Sequence, residues 1–238
     1  MKVRSSMAVG LLLAVFSFAA VAQSTGPRDL AELKQEAQRR ADRNLPPLGG
    51  VSPADVREAL AGLASLEPDA WAAAFTRIGD RHFEKARAQQ ASAPREAAES
   101  YKHAWEVYNT ARWPTENSPG KKQAYVKALE AFQSYGRLID PPIETVRIPF
   151  EGKEIVGYLR LPPGVRPAPL VIGIAGLDTR KEDVAAASDN FLKRGIALFA
   201  FDMPGTGQAP LKVDVGVERM YSRALDYLQT RSDIDAKR

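Results

Sequence analysis

Hydrophobic positions change their rhythm once along this chain, near Asp140-Pro141-Pro142. Ahead of that point they recur at helical spacing. Tyr101, Trp105 and Tyr108 stand at i, i+4 and i+7, and Tyr125, Leu129, Phe132 and Tyr135 form a similar stripe. The pattern predicts five helices. The first runs from about Asp29 to Arg43 and is ended by Leu45-Pro46-Pro47. A second opens at Ser52-Pro53-Ala54-Asp55, where Ser52 can cap free amides, Pro53 suits the first turn and Asp55 sits as in a capping box. Pro68 opens a third, carrying Trp71, Phe75, Ile78, Phe83 and Ala86. A fourth begins near Pro94, and Pro119-Gly120 precedes a fifth. Aromatic stripes of this kind line a pocket or, more commonly, form the seam between packed helices.

Beyond Pro142 the chain alternates strands and helices. Ile143–Pro149 and Glu154–Leu161 read as strands joined by a hairpin turn at Glu151-Gly152-Lys153. Leu170–Ala175 and Ile196–Phe201 are short and wholly apolar, as in strands covered on both faces. Glu182–Arg194 and Asp214–Thr230 read as helices. Buried strands alternating with helices imply a doubly wound, mostly parallel sheet. The fold class expected is therefore α/β: a helical N-terminal region, then such a sheet.

The first residues follow a different pattern. Lys2 and Arg4 precede an apolar run from Met7 to Val21, and Ala20-Val21-Ala22 offers small residues for cleavage, the layout of a secretory signal peptide. The run is short beside the roughly 20 residues of a membrane span. The expected organisation is residues 1–22 as signal peptide, 23–140 as a cap-like helical region and 141–238 as the α/β portion. The mature protein would be periplasmic or secreted, without a stable membrane anchor.

Charge and composition narrow the function mainly by exclusion. The net charge of +4 falls to about +2 without the first 22 residues, and no Lys/Arg cluster interleaves with aromatics, so no nucleic-acid partner is expected. Zero cysteines exclude disulfides, thiolate metal sites and a cysteine nucleophile. His82 and His103, the two histidines present, lie in helical pattern without a motif and read as solvated or core-edge side chains. No metal or organic cofactor is implied.

Two loops carry the candidate chemistry. Gly173-Ile174-Ala175-Gly176-Leu177-Asp178 follows one buried strand, and Phe201-Asp202-Met203-Pro204-Gly205-Thr206-Gly207 follows the next. Gly205 and Gly207 are not a nucleotide fingerprint, because Pro210 occupies the third glycine position. In order and spacing the two loops resemble the α/β-hydrolase superfamily, whose third strand leads to an oxyanion loop and whose fourth ends in Asp-x-x-Gly-x-Gly. Gly176-Leu177-Asp178-Thr179-Arg180-Lys181-Glu182 and Trp113-Pro114-Thr115-Glu116-Asn117-Ser118-Pro119-Gly120 further resemble its FrsA-like, 2,6-dihydroxypseudooxynicotine hydrolase-like branch. The likeness covers about Tyr101 to Arg238, with only compatible helices before it.

That resemblance implies a serine hydrolase acting on a small-molecule carbonyl substrate (an ester, an amide or a C–C bond next to a carbonyl). It makes the Leu177 backbone N–H an oxyanion donor and Gly176 the residue that lets the loop turn. The helical half would cap the pocket or form a homodimer surface. No serine stands in Gly-x-Ser-x-Gly; Ser188, Ser222 and Ser232 lie in helices or a polar loop with no histidine after them. The expectation is thus a chain holding the first half of the hydrolase core, stopping short of nucleophile and triad histidine, and inactive alone. Such a sheet would leave the Ile196–Phe201 strand with a free edge. The other reading from the residues is a non-catalytic exported helical interaction protein of tetratricopeptide type, although no fixed repeat period supports it.

Overall fold

Helix starts follow the local chemistry of the sequence. The computed structural model describes residues 29–237; the signal-peptide reading of residues 1–22 lies outside them. Five helices precede the first strand: α1 (Leu30–Asp42), α2 (Pro53–Ala61), α3 (Pro68–Gln89), α4 (Pro94–Arg112) and α5 (Pro119–Leu138). Four of them open on proline, whose missing N–H needs no partner in a first turn. Asp29 caps α1 by accepting from Glu32 N at 2.7 Å. Ser52 caps α2, accepting from Ala54 N at 3.2 Å. The reciprocal half of the box expected there is not made. The Asp55 carboxylate turns instead to Arg81 Nη2 at 2.7 Å and His82 Nε2 at 2.8 Å, which ties α2 to α3.

The aromatic stripes meet as a seam. Tyr101, Trp105 and Tyr108 of α4 are buried. Trp105 packs on Phe132 of α5 with ring centroids 5.0 Å apart, and Tyr101 on Phe83 of α3 at 5.3 Å. Such pairs add about 0.5–1.5 kcal/mol each beyond the area they bury. The Trp71 indole N–H donates to Thr110 O at 2.9 Å and fixes the ring between α3 and the end of α4. His103 Nδ1 lies 3.2 Å from Glu106 Oε2, and its ring centroid is 5.9 Å from that of His82.

The strands are β1 (Glu144–Phe150), β2 (Lys153–Arg160), β3 (Leu170–Ala175) and β4 (Ala197–Asp202), ordered β1-β2-β4-β3. Glu151 and Gly152 join β1 to β2 with φ of 47° and 75°, and positive φ at both positions suits a tight hairpin turn. The sheet is mixed: β1–β2 and β2–β4 are antiparallel, and β3–β4 is parallel. The hairpin dictates the first pairing, so among the described strands the parallel character is confined to β3 and β4. Strand β4 is buried along its whole length and lies in the middle of the sheet. The free edge therefore belongs to β3, not to the Ile196–Phe201 strand, and for that reason β3 is only partly covered. Two residues ahead of β3, Ala168 makes an isolated parallel bridge to Ile234.

The helix read over Glu182–Arg194 is two pieces, α6 (Lys181–Ala186) and α7 (Asp189–Leu192). The break falls at Ser188, whose hydroxyl donates to Ala185 O at 2.6 Å and accepts from Arg160 Nη1 at 2.9 Å. A side chain bonded back to the preceding turn in this way competes with helix continuation. Helix α8 (Glu218–Gln229) places Met220, Ala224 and Leu228 against the sheet core containing Ile148, Phe199 and Phe201.

Candidate active site

The parallel pair β3–β4 sends both of its following loops out at one end, where ligands bind in open α/β sheets. A single carboxylate ties those loops together. Asp202, the last residue of β4, accepts from Lys181 N at 2.9 Å with Oδ1, and from Gln208 N at 2.9 Å and Lys181 Nζ at 3.0 Å with Oδ2. A Cβ added at Gly207, where φ is 48°, would overlap this carboxylate. Glycine is required there for space as well as for conformation.

Lys181 is fully buried. Its ammonium also lies 2.8 Å from Glu182 Oε1 and 3.3 Å from the Tyr125 hydroxyl of α5. Burial works against the ammonium, but Glu182 and Asp202 together hold its pKa above the ordinary lysine value. Glu182 moves the other way: burial first, then the nearby Asp202 charge, raise its pKa, with Lys181 opposing. One cation and two carboxylates share the cluster, so the uncompensated negative charge adds to burial in raising the Glu182 pKa.

The loop between β3 and α6 is held from outside. Arg180, 1% exposed, forks onto Glu116 with Nη2 at 2.9 and 2.8 Å from the two oxygens, while Nη1 donates to Leu177 O at 3.1 Å and Thr179 O at 2.6 Å. Arg112, at the end of α4 and equally buried, donates to Asp178 O at 3.0 Å. Gly176 N donates to Thr179 Oγ1 at 2.8 Å. A Cβ on Gly176 would meet that hydroxyl at 3.3 Å, so close approach is what favours glycine there. Leu177 is 69% exposed, and among the described residues its N–H has no hydrogen-bond partner. A cavity of about 250 Å³ opens beside this loop, between Pro46, Pro47, Trp105, Asn109, Trp113, Asp178 and Thr179.

Gly176 and Leu177 therefore share an exposed loop in which the carbonyls of Leu177, Asp178 and Thr179 are engaged, while the N–H groups of the same three residues have no hydrogen-bond partner among the described residues. Sequence reasoning singled out the glycine turns but assigned no role to Arg112, Glu116, Arg180, Lys181 or Asp202. A signal existed for Lys181. It shares a helical stripe, i, i+4, i+7, with Ala185 and Ser188, and a charge on a buried stripe needs a partner.

The model of the family described as "Esterase FrsA-like" matches residues 57–218, from within α2 to the start of α8. The likeness thus begins well before Tyr101 and includes most of the helical region. Esterase FrsA of Vibrio cholerae serotype O1 is 30% identical over 176 residues, covering 66% of this chain and 42% of that protein. The 2,6-dihydropseudooxynicotine hydrolase of Paenarthrobacter nicotinovorans is 32% identical over 88 residues, covering 37% of this chain and 24% of that protein. The chain spans less than half the length of these relatives. In fold it is similar to the crystal structure of the 2,6-dihydroxy-pseudo-oxynicotine hydrolase, with a TM-score of 0.66 and 24% identity over 78% of this chain and 53% of that one. AbyA5 gives a TM-score of 0.63 at 24% identity, over 87% of this chain and 53% of that one. Helical region, strand order and loop pair are accounted for together: the chain belongs to the FrsA-like esterase family of α/β-hydrolases.

Proposed function

We propose that this chain supplies the oxyanion half of an exported serine hydrolase acting on an ester, an amide or a C–C bond next to a carbonyl. The observation that carries this is a run of exposed N–H groups, Leu177, Asp178 and Thr179, unpartnered among the described residues and bounded by Gly176, Arg180 and Lys181, whose N–H groups donate within the protein; Leu177 is the one that the family pattern makes the donor. A donor preset in this way meets the negative charge that builds on a carbonyl oxygen during acyl transfer, and one such donor is worth about 3 kcal/mol. The cavity lined by Asp178 and Thr179, the two residues that follow Leu177, has room for a small carbonyl compound at this loop. In the complete enzyme a serine attacks the carbonyl carbon, a histidine takes the serine proton, and Leu177 N–H with the amide after the serine holds the oxyanion.

The 238 residues contain no Gly-x-Ser-x-Gly and no histidine after His103, so by themselves they do not assemble a triad. The chain alone is expected to hydrolyse no p-nitrophenyl acetate and to take no fluorophosphonate label; stoichiometric labelling of one of its serines would overturn that. The oxyanion role is tested by replacing the matching segment of the Vibrio cholerae esterase with residues 57–218 of this chain. The chimera is expected to hydrolyse p-nitrophenyl acetate, and Leu177→Pro, which deletes the N–H, to lower kcat by roughly 10²–10³-fold. Equal activity with proline would sink the assignment. Export is tested by N-terminal sequencing, which should find Gln23 first.

A further inference from the structure

We infer that Arg112, at the C-terminal end of α4, is a positioning residue for the oxyanion loop, and that the helical region is a fixed wall of the site and not a movable lid. The inference rests on the oxyanion reading of Leu177, and it goes further by naming what gives that loop its shape.

The loop has few backbone bonds of its own. Between the end of β3 and the first turn of α6, its main-chain groups are satisfied largely by side chains. Three successive carbonyls accept from guanidinium groups: Leu177 and Thr179 from Arg180, and Asp178 from Arg112. Because each peptide unit is planar, fixing a carbonyl also fixes the N–H of the next residue. The bonds to Leu177 O and Asp178 O thus fix the Asp178 and Thr179 N–H groups, and the peptide unit that carries the Leu177 N–H is bracketed by the bonds of Gly176 N and Leu177 O.

Both arginines depend on the helical region. Arg112 comes from α4 itself, and its fork reaches three separate acceptors: Asn109 Oδ1 at 2.7 Å, Pro114 O at 3.0 Å and Asp178 O at 3.0 Å. Arg180 is aimed by Glu116, in the segment between α4 and α5. Asn109 adds a bond to Asp183 Oδ1 at 2.9 Å, and the other oxygen of Asp183 accepts from Arg180 N at 2.7 Å. Two buried cations face two carboxylates, with Arg112 3.8 Å from both Glu116 and Asp183. Burial and the neighbouring Arg180 pull the Arg112 pKa down, and those carboxylates oppose the shift. A lid that swung away from β3 would break the bonds of Arg112 to Asp178 O, Glu116 to Arg180 and Asn109 to Asp183 together, and would part charged groups from their partners on both sides. The open cavity bordered by Pro47 and Trp113 offers an approach to Asp178 and Thr179 that breaks none of them.

The test is amide hydrogen exchange on the full chain, read at Gly176, Arg180 and Lys181, with the amides of β4 as internal reference. In Arg112→Met and in Glu116→Gln the three loop amides are expected to exchange about ten-fold faster while β4 keeps its wild-type rates. Arg112→Lys should restore protection only in part, because an ammonium cannot reproduce the planar fork. Loop rates unchanged in the folded variants would overturn the inference, and so would rates rising equally in loop and β4. If Arg112→Met does not fold, Glu116→Gln decides the matter alone, since that side chain is partly exposed and keeps its shape. The exchange measurement is independent of catalysis. A chimera indifferent to Leu177→Pro, alongside loop exchange that responds to Arg112, would remove the oxyanion reading and leave the positioning role standing.

Discussion

Lys181 is bound twice to Asp202: its backbone N–H donates to one carboxylate oxygen at 2.9 Å and its ammonium to the other at 3.0 Å. The first bond fastens the end of the β3–α6 loop to the end of β4, and the second compensates the buried carboxylate. Lys181→Met is therefore expected to cost about 3–5 kcal/mol at pH 7, because it leaves Asp202 and Glu182 buried beside each other without a cation. Urea unfolding measures it. The double variant Lys181→Met, Asp202→Leu should recover part of the loss, since it removes one of the stranded charges. Strictly additive losses would show that the two side chains are not coupled.

Glu182 makes part of the stability dependent on pH. Its pKa is raised in the folded protein from an ordinary 4.5, so the folded state binds its proton more tightly than the unfolded state. The sign follows: the contribution is fully present below pH 4.5 and is lost as pH rises through the folded pKa. Glu182→Gln keeps the neutral shape and removes the titration. The difference in unfolding free energy should move in favour of the variant as pH is raised from 4.5 towards neutrality. A difference that stays flat over that range would contradict the burial argument.

Two glycines with positive φ should respond differently to alanine. At Gly152 nothing lies within 4 Å of an added Cβ, so the cost is conformational, about 1–2 kcal/mol. At Gly207 the methyl group would also push the Asp202 carboxylate off Gln208 N and Lys181 Nζ, raising the cost to roughly 3–5 kcal/mol. Thermal unfolding of both variants distinguishes them, and equal losses would mean that the turn after β4 yields without disturbing Asp202.

The outer edge of β3 is open to pairing with another copy. Ile174, 49% exposed, stands near its end, and an exposed apolar edge strand invites strand-to-strand association. The chain is expected to self-associate with rising concentration in sedimentation, and Ile174→Lys to shift it towards monomer. Monomer at all concentrations for the unmodified chain would show the edge to be protected.

Much of the architecture was written locally. Helical spacing, prolines in first turns and the caps Asp29 and Ser52 are properties of neighbouring residues, so the starts of α1 to α5, and the end of α1, could be read within a residue or two. The same holds for the hairpin at Glu151-Gly152 and for the two apolar strands that became β3 and β4. The loop pair Gly176–Leu177 and Asp202–Gly207 was legible because turn chemistry follows directly on each strand. Tertiary structure decided everything that depends on distant partners. It set the antiparallel pairing of β2 with β4, put the open edge on β3, and broke the α6–α7 helix where Arg160 reaches Ser188. It also turned exposed-looking charges into the framework of the site. Arg112 meets Asp178 across 66 residues, Arg180 meets Glu116 across 64, and Lys181 meets Asp202 across 21. Periodicity records which face of an element is apolar. It does not record which buried cation will meet which carboxylate, because that depends on how whole elements pack against one another.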